Sequence, residues 1–285
     1  MRILLTGASG MLGTDLRAEF AGHDLTPLGR SELDVTDLDA ARAAVAGQDL
    51  VLNAAAYTKV DDAEAHEALA FAVNASGARN LAIAAREAGA RIVQVSTDYV
   101  FDGSATTPYA EDAPRHPISA YGRTKAAGEE AVLAEHPGGA YIVRTAWLYG
   151  AHGPNFAATM IRLAGSNPTV SVVTDQLGQP TWTMDLARQI RLLVESDAPS
   201  GAYHGTNAGQ CSWFEFARAV YAEVGLDPDR VLPTDSSAFV RPAPRPAYSV
   251  LGHAGWAAVG IPEMRDWREA LHAAVAAGAV AAPSA

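Results

Sequence analysis

The start of the chain constrains its fold most. Arg2-Ile3-Leu4-Leu5-Thr6 runs straight into three glycines spaced three apart, Gly7, Gly10 and Gly13. The apolar run reads as a buried strand, and Met11–Phe20 behind the glycines carries helical spacing. Glycine weakens a helix and fills no core, so three of them between a strand and a helix mark a place where backbone must come close to something. The first permits a tight turn, the second lets backbone N–H groups approach a pyrophosphate at the positive helix end, and the third lets helix and sheet pack closely. Strand, glycine turn and helix in this order identify Gly7, Gly10 and Gly13 as candidates for a dinucleotide site.

The rest of the first half repeats the rhythm. Leu25–Leu28, Leu50–Asn53, Arg91–Ser96 and Ala140–Arg144 read as strands; Leu38–Ala46, Ala63–Ala88 (in one or two parts) and Ser119–Glu135 read as helices. Strands alternating with helices of this length predict an α/β fold, a Rossmann-type doubly wound parallel sheet. After Gly150 prolines break the pattern between Asn155–Ala164, Thr169–Val173, Met184–Glu195 and Cys211–Val224. We therefore divide the chain into a dinucleotide-binding domain over 1–150 and a smaller, loop-rich, mainly substrate-binding region over 151–285, with segments near 184–207 returning to the first. The Ala-rich tail, 276–285, is expected to fray.

Composition excludes several functions. The 285 residues are 49% hydrophobic and 19% charged, as in a protein with a substantial core. A net charge of −11 argues against nucleic-acid and anionic-membrane partners. One cysteine, Cys211, allows neither an intrachain disulfide nor a cysteine-paired zinc site. There is no 18-residue apolar run and no cleavable leader pattern, so the expected location is cytoplasmic.

Two patterns speak to chemistry. Asp34 stands about 20 residues past the glycines, the distance of a ribose-binding acid. The end of the second strand, however, reads Leu28-Gly29-Arg30, with no acid. An arginine there suits a 2′-phosphate, which favours NADPH and leaves NADH use open. Tyr121 and Lys125 lie four apart on the expected helix 119–135, hence on one face. The chain has 19 arginines and two lysines, so a retained lysine invites a chemical reason. An ammonium beside a phenol lowers a pKa that is otherwise near 10 and brings it toward the range useful for proton transfer. Thr97 and Asp98 end the run Ile92–Val95, at the strand edge where such sheets bind ligands.

With these residues in view, the chain resembles the dTDP-4-dehydrorhamnose reductases, within the extended short-chain dehydrogenase/reductases. The resemblance spans nearly the whole length: TGASGMLG at 6–13, LDVTD at 33–37, NAAAYTKVDDAE at 53–64, VSTDYVFDG at 95–103, SAYGRTKAAGE at 119–129, RTAWLYG at 144–150, NFAATMIRLA at 155–164, DQLGQPTW at 175–182 and RPAPRPAYSVL at 241–251. It implies that Gly10, Met11 and Leu12 wrap the pyrophosphate and that Asp34 and Val35 line the adenine. It further implies that Ala54, Ala55, Ala56, Tyr57 and Thr58 run beneath the nicotinamide half. Thr97, Asp98, Tyr121, Lys125 and Trp147 match the residues that hold the keto sugar, with Tyr121 as proton donor, Lys125 tuning it and Thr97 assisting. Charge alone suggests Arg241 and Arg245 for the diphosphate.

The implied reaction is NADPH-dependent reduction of the C4 ketone of dTDP-4-dehydrorhamnose to dTDP-L-rhamnose. Family habit implies a homodimer. The glutamates with which some relatives hold magnesium are not matched, Asp15 aside, so no metal site is expected. Two alternatives stand: a 4-ketoreductase for another nucleotide-activated deoxysugar, which the shared motifs do not separate, and a non-catalytic NADP-binding subunit. Loss of Tyr121 or Lys125 would have marked the latter, and both are present.

Overall fold

The computed structural model describes residues 1–281. Its centre is a six-stranded parallel sheet: β1 (Arg2–Thr6), β2 (Asp24–Leu28), β3 (Leu50–Asn53), β4 (Arg91–Thr97), β5 (Ala140–Thr145) and β6 (Gly201–His204). The spatial order is β6-β5-β4-β3-β1-β2. Every internal strand buries both faces, which is why these segments read as largely apolar runs and not as alternation. Ile3 and Leu5 pack with helices α1 (Met11–Glu19) and α6 (Thr183–Glu195). Leu4, between them, points into the opposite layer, among α2 (Leu38–Val45), α3 (Ala78–Ala88) and α4 (Ala120–Glu135). Pro27 is accommodated because β2 is an edge strand.

Since β2 lies on one side of β1 and β3 on the other, the crossovers diverge there and open a crevice at the carboxyl edge, where such sheets bind ligands. A buried polar chain ties this edge together. The Thr6 hydroxyl donates to Asn53 Oδ1 at 2.6 Å, and Asn53 Nδ2 donates to Gln94 Oε1 at 2.6 Å. These groups lie within the core, so each must find a partner, and the partners join β1, β3 and β4.

The helical stretch expected over 63–88 resolves into Val60–Ala63, then Glu67–Phe71, a π-helical turn Ala72–Gly77 and α3. That wide turn presents Asn74 to two neighbours. Its Oδ1 accepts the Tyr57 N–H at 2.8 Å, and its Nδ2 donates to Tyr57 O at 3.1 Å and Thr124 Oγ1 at 3.0 Å. A single-turn π insertion of this kind is a common way to re-aim one side chain at a site. Helix α4 can lie against it because residue 128 is glycine; a Cβ there would meet Asn74 O at 2.2 Å.

Beyond Tyr149 the chain leaves the sheet and returns. Helix α6 packs on α1, and β6 pairs with β5 in the register Gly201↔Tyr141. Helices α5 (Phe156–Ser166), α7 (Trp213–Glu223) and α8 (Trp267–Ala276) enclose a separate apolar cluster with Tyr149, Phe216 and Trp267 at its centre. The tail expected to fray is ordered as far as it is described: Val280 is buried in this cluster, and its N–H donates to Ala274 O. Residues 282–285 of that tail lie outside the described residues. Gly128→Ala should cost about 1–3 kcal/mol in urea unfolding, as overpacking against fixed backbone does; an unchanged midpoint would show that α4 has room to move away from the π turn.

Candidate active site

The glycine turn sits at the crevice. Gly7 adopts φ +69°, and a Cβ there would lie 2.6 Å from Ala54 C and Ala55 N. The turn thus lies directly on the chain leaving β3. A Cβ on Gly13 would meet Gly7 O at 2.2 Å, so α1 also needs glycine to start where it does. Gly10 caps α1 with no side-chain hydrogen bond, and the first turn holds no acid. Neither the cap nor the first turn of α1 supplies the positive helix end with an anion, which suits a pyrophosphate cradle. The residues present therefore fit a dinucleotide, with Met11 and Leu12 in that first turn.

The adenosine-side candidates are arranged less simply. Arg30 is exposed at the end of β2, close enough to influence both Asp34 and Tyr57. Asp34 Oδ1 accepts from the Thr36 N–H at 2.9 Å and the Thr36 hydroxyl at 2.7 Å, which hold its carboxyl below the usual range. Val35 is buried against Gly77, where a Cβ would come within 2.6 Å of it. Along the floor, the Ala55 N–H donates to Asn53 Oδ1 at 3.1 Å, and the Tyr57 hydroxyl donates to Asp62. Ala54, Ala55, Ala56 and Tyr57 are half-buried and Thr58 is exposed.

Chemistry-bearing groups gather at the end of β4. Ser119 caps α4 by accepting the Gly122 N–H at 3.1 Å. Gly122 lets that helix abut the 97–100 turn, since a Cβ would meet Tyr99 O at 2.2 Å. The approach sets Tyr121 beside Thr97 and Asp98, with its ring edge-on to Tyr99 at 5.6 Å. The Thr97 hydroxyl donates to Asp98 Oδ1 at 2.9 Å. Asp98 is 2% exposed and its Oδ2 has no partner among the described residues. Burial pushes its carboxyl up to about 6, against the pull of the Ser249 and Thr97 hydroxyls.

Lys125 differs from the sequence expectation. Its Nζ donates to Val95 O at 2.6 Å. Burial lowers its pKa to about 8, opposed by the Glu129 carboxylate. The Tyr121 phenol is not lowered by it: burial and the Asp98 charge push the phenol up, and the Thr97 hydroxyl pulls it down. Tyr121 is thus a firmly protonated phenol in this arrangement, which suits a donor better than a base.

Trp147 follows Thr145, the Cα partner of Thr97 across β4 and β5. It adopts φ +46°, a left-handed backbone uncommon for a bulky residue, and is half-buried. Its ring stacks on Trp213 with centroids 3.5 Å apart and planes 8° apart, and Gly178 leaves room for it. One aromatic face is therefore taken, which narrows the flat surface expected for a sugar. Sequence reasoning missed Trp213, although Gly178 within DQLGQPTW was a signal of close approach. Arg245 and Arg241 are not free cations: both pair with Asp61, at 2.9 and 3.7 Å. Among the described residues no group of three His, Cys, Asp or Glu could hold a metal. No helix among them is long and apolar enough to cross a membrane.

A family model described as the RmlD substrate binding domain matches residues 1–280. The chain belongs to this family. A dTDP-4-dehydrorhamnose reductase of Streptomyces griseus is 52% identical, covering 95% of this chain and 91% of that protein. A dTDP-4-keto-6-deoxy-D-glucose reductase of Streptomyces niveus is 49% identical, covering 95% of each. The crystal structure of a dTDP-4-dehydrorhamnose reductase from Bacillus anthracis in complex with NADP superposes with a TM-score of 0.91, at 39% identity over 96% of this chain and 98% of that one.

The shifted groups predict a bell-shaped pH profile of kcat/KM for this RmlD-family member. The acid limb falls as Asp98 takes a proton below about 6, and the alkaline limb falls as Lys125 loses its charge above about 8. Asp98→Asn should remove the acid limb and keep the alkaline one; an acid limb that survives this substitution would assign it to another group.

Proposed function

We propose that this protein reduces the C4 ketone of dTDP-4-dehydrorhamnose to dTDP-L-rhamnose with NADPH. The observation that carries the reading is the meeting of Tyr121, Thr97 and Asp98 at the end of β4, with Lys125 one turn further along α4. The glycine turn faces the same edge of the sheet, across the β1–β3 crevice.

In this reading the bound dihydronicotinamide supplies the hydride that reduces C4. Tyr121 delivers its phenolic proton to the oxygen as charge develops there. Thr97, on turning its single hydroxyl proton away from Asp98 Oδ1, donates a hydrogen bond to the same oxygen or to the phenolate left on Tyr121. Lys125, a compact ammonium one turn past Tyr121 on the same helix, would hold the ribose hydroxyls. Asp98 Oδ2, buried without a partner among the described residues, accepts from a sugar hydroxyl. Trp147, backed by Trp213, offers its remaining surface to the deoxyhexose ring.

A second reading is supported by the Streptomyces niveus relative, whose name specifies a different 4-keto sugar at nearly the same identity. The residues at the end of β4 address the 4-keto group and do not separate the two. The test is NADPH oxidation with each 4-keto sugar nucleotide generated in place, with Tyr121→Phe as control. Oxidation should require dTDP-4-dehydrorhamnose and fall by at least about 100-fold in the control, the lower range for loss of a general acid. Turnover of only the D-configured sugar would favour the second reading. NADPH binding without turnover of either would overturn both.

A further inference from the structure

The sequence places no acid at Leu28-Gly29-Arg30, yet the fold brings one there. Glu32 lies three residues on, and its Oε2 accepts the Gly29 N–H at 2.7 Å. The backbone holds it in this position: the N–H groups of Glu32 and Leu33 both donate to Gly29 O, at 3.0 and 3.1 Å, and Leu33 is buried. A Cβ on residue 29 would find Glu32 Oε2 at 3.4 Å and Ser9 Oγ at 3.7 Å. The carboxylate therefore stands beside the glycine turn, next to the space that a side chain at the end of β2 would fill. The Ala8 N–H donates to Leu28 O at 3.2 Å and fixes the turn against that strand end. The other acids of the loop are engaged elsewhere, Asp34 with Thr36 and Asp37 as the cap of α2.

We propose that Glu32 is the residue that sets coenzyme selectivity in this chain. An acid at the end of the second strand accepts the adenosine ribose hydroxyls of NADH, whereas an arginine nearby accommodates the 2′-phosphate of NADPH. This chain holds both groups, Glu32 and Arg30, around one glycine. A ribose 2′-hydroxyl can donate to the Glu32 carboxylate, a charge-assisted hydrogen bond. A 2′-phosphate at the same place competes for the Gly29 N–H and meets like charge, so it must displace Glu32 and rely on Arg30. The carboxylate thus lowers preference for the phosphorylated coenzyme, while Arg30 raises it. The inference rests on the dinucleotide reading of the glycine turn.

The test is calorimetric titration of the full-length protein with NADP⁺ and NAD⁺, comparing wild type, Glu32→Gln and Arg30→Ala. Glutamine keeps an acceptor for the Gly29 N–H and removes the charge, and thermal unfolding checks that the variants are folded. Glu32→Gln should raise the ratio Kd(NAD⁺)/Kd(NADP⁺) by about tenfold, the scale of one hydrogen bond to a charged group. Arg30→Ala should lower that ratio. An unchanged or lowered ratio in Glu32→Gln, with the wild type binding coenzyme, would overturn the role of Glu32. A wild type that binds neither coenzyme would overturn the dinucleotide reading itself.

Discussion

Glu129 is buried on α4, and the working end of the molecule is assembled around its charge. Its Oε1 accepts from the Ser96 hydroxyl at 2.5 Å and Arg144 Nε at 2.9 Å, and its Oε2 accepts from Arg144 at 2.8 Å and Arg115 at 3.2 Å. Arg144 in turn donates to Glu111 O at 2.9 Å and lies over the Phe101 ring at 5.1 Å. His204 on β6, out of water and beside this cation, is held neutral with its pKa lowered to about 3. One carboxylate thus joins β4, α4 and β5. Such a buried pair adds little net stability, but removing one partner strands a charge and costs about 3–5 kcal/mol. Its use here is positional: Tyr121 and Lys125 lie two turns and one turn before Glu129 on the same helix, so fixing Glu129 to β4 and β5 fixes them against Thr97.

The same carboxylate acts on chemistry through Lys125. Burial alone drives the ammonium toward neutrality, and Glu129 opposes this, leaving a group that titrates near 8. For Asp98, burial outweighs the hydroxyls that face it, so it sits near 6 with one oxygen unpaired among the described residues. The site therefore holds a high-pKa phenol between two groups that change charge on either side of neutrality. Perturbed titratable groups gathered in a crevice are what acid–base chemistry requires.

Much of this was legible in the sequence because the information is local. Strand, glycine turn and helix follow one another along the chain, and the pairing of Tyr121 with Lys125 follows from helical spacing alone. Thr97 and Asp98 were found because a strand's carboxyl end is recognisable. What was not legible joins distant segments. Asp61 reaches the Arg241–Arg245 loop, and Trp213 backs Trp147 from a helix far along the chain. Glu32 is hidden for a different reason: it is close in sequence, but only the turn geometry shows its side chain folding back onto Gly29. Helical spacing puts Tyr121 and Lys125 on one face without saying that the ammonium bonds Val95 O, so the tuning of the phenol does not follow from it. Asp34 stands at the ribose-binding distance from the glycines and within the LDVTD match, and its carboxylate is engaged in a local turn with Thr36.

We assign to this site the reduction of the C4 carbonyl of a dTDP-activated 6-deoxy sugar. The most direct measurement is proton and deuterium NMR of the product formed from dTDP-4-dehydrorhamnose with NADPH deuterated at its transferable position. Deuterium should appear on C4 of the sugar, in the configuration of L-rhamnose. Product without label at C4, or label on another carbon, would contradict it.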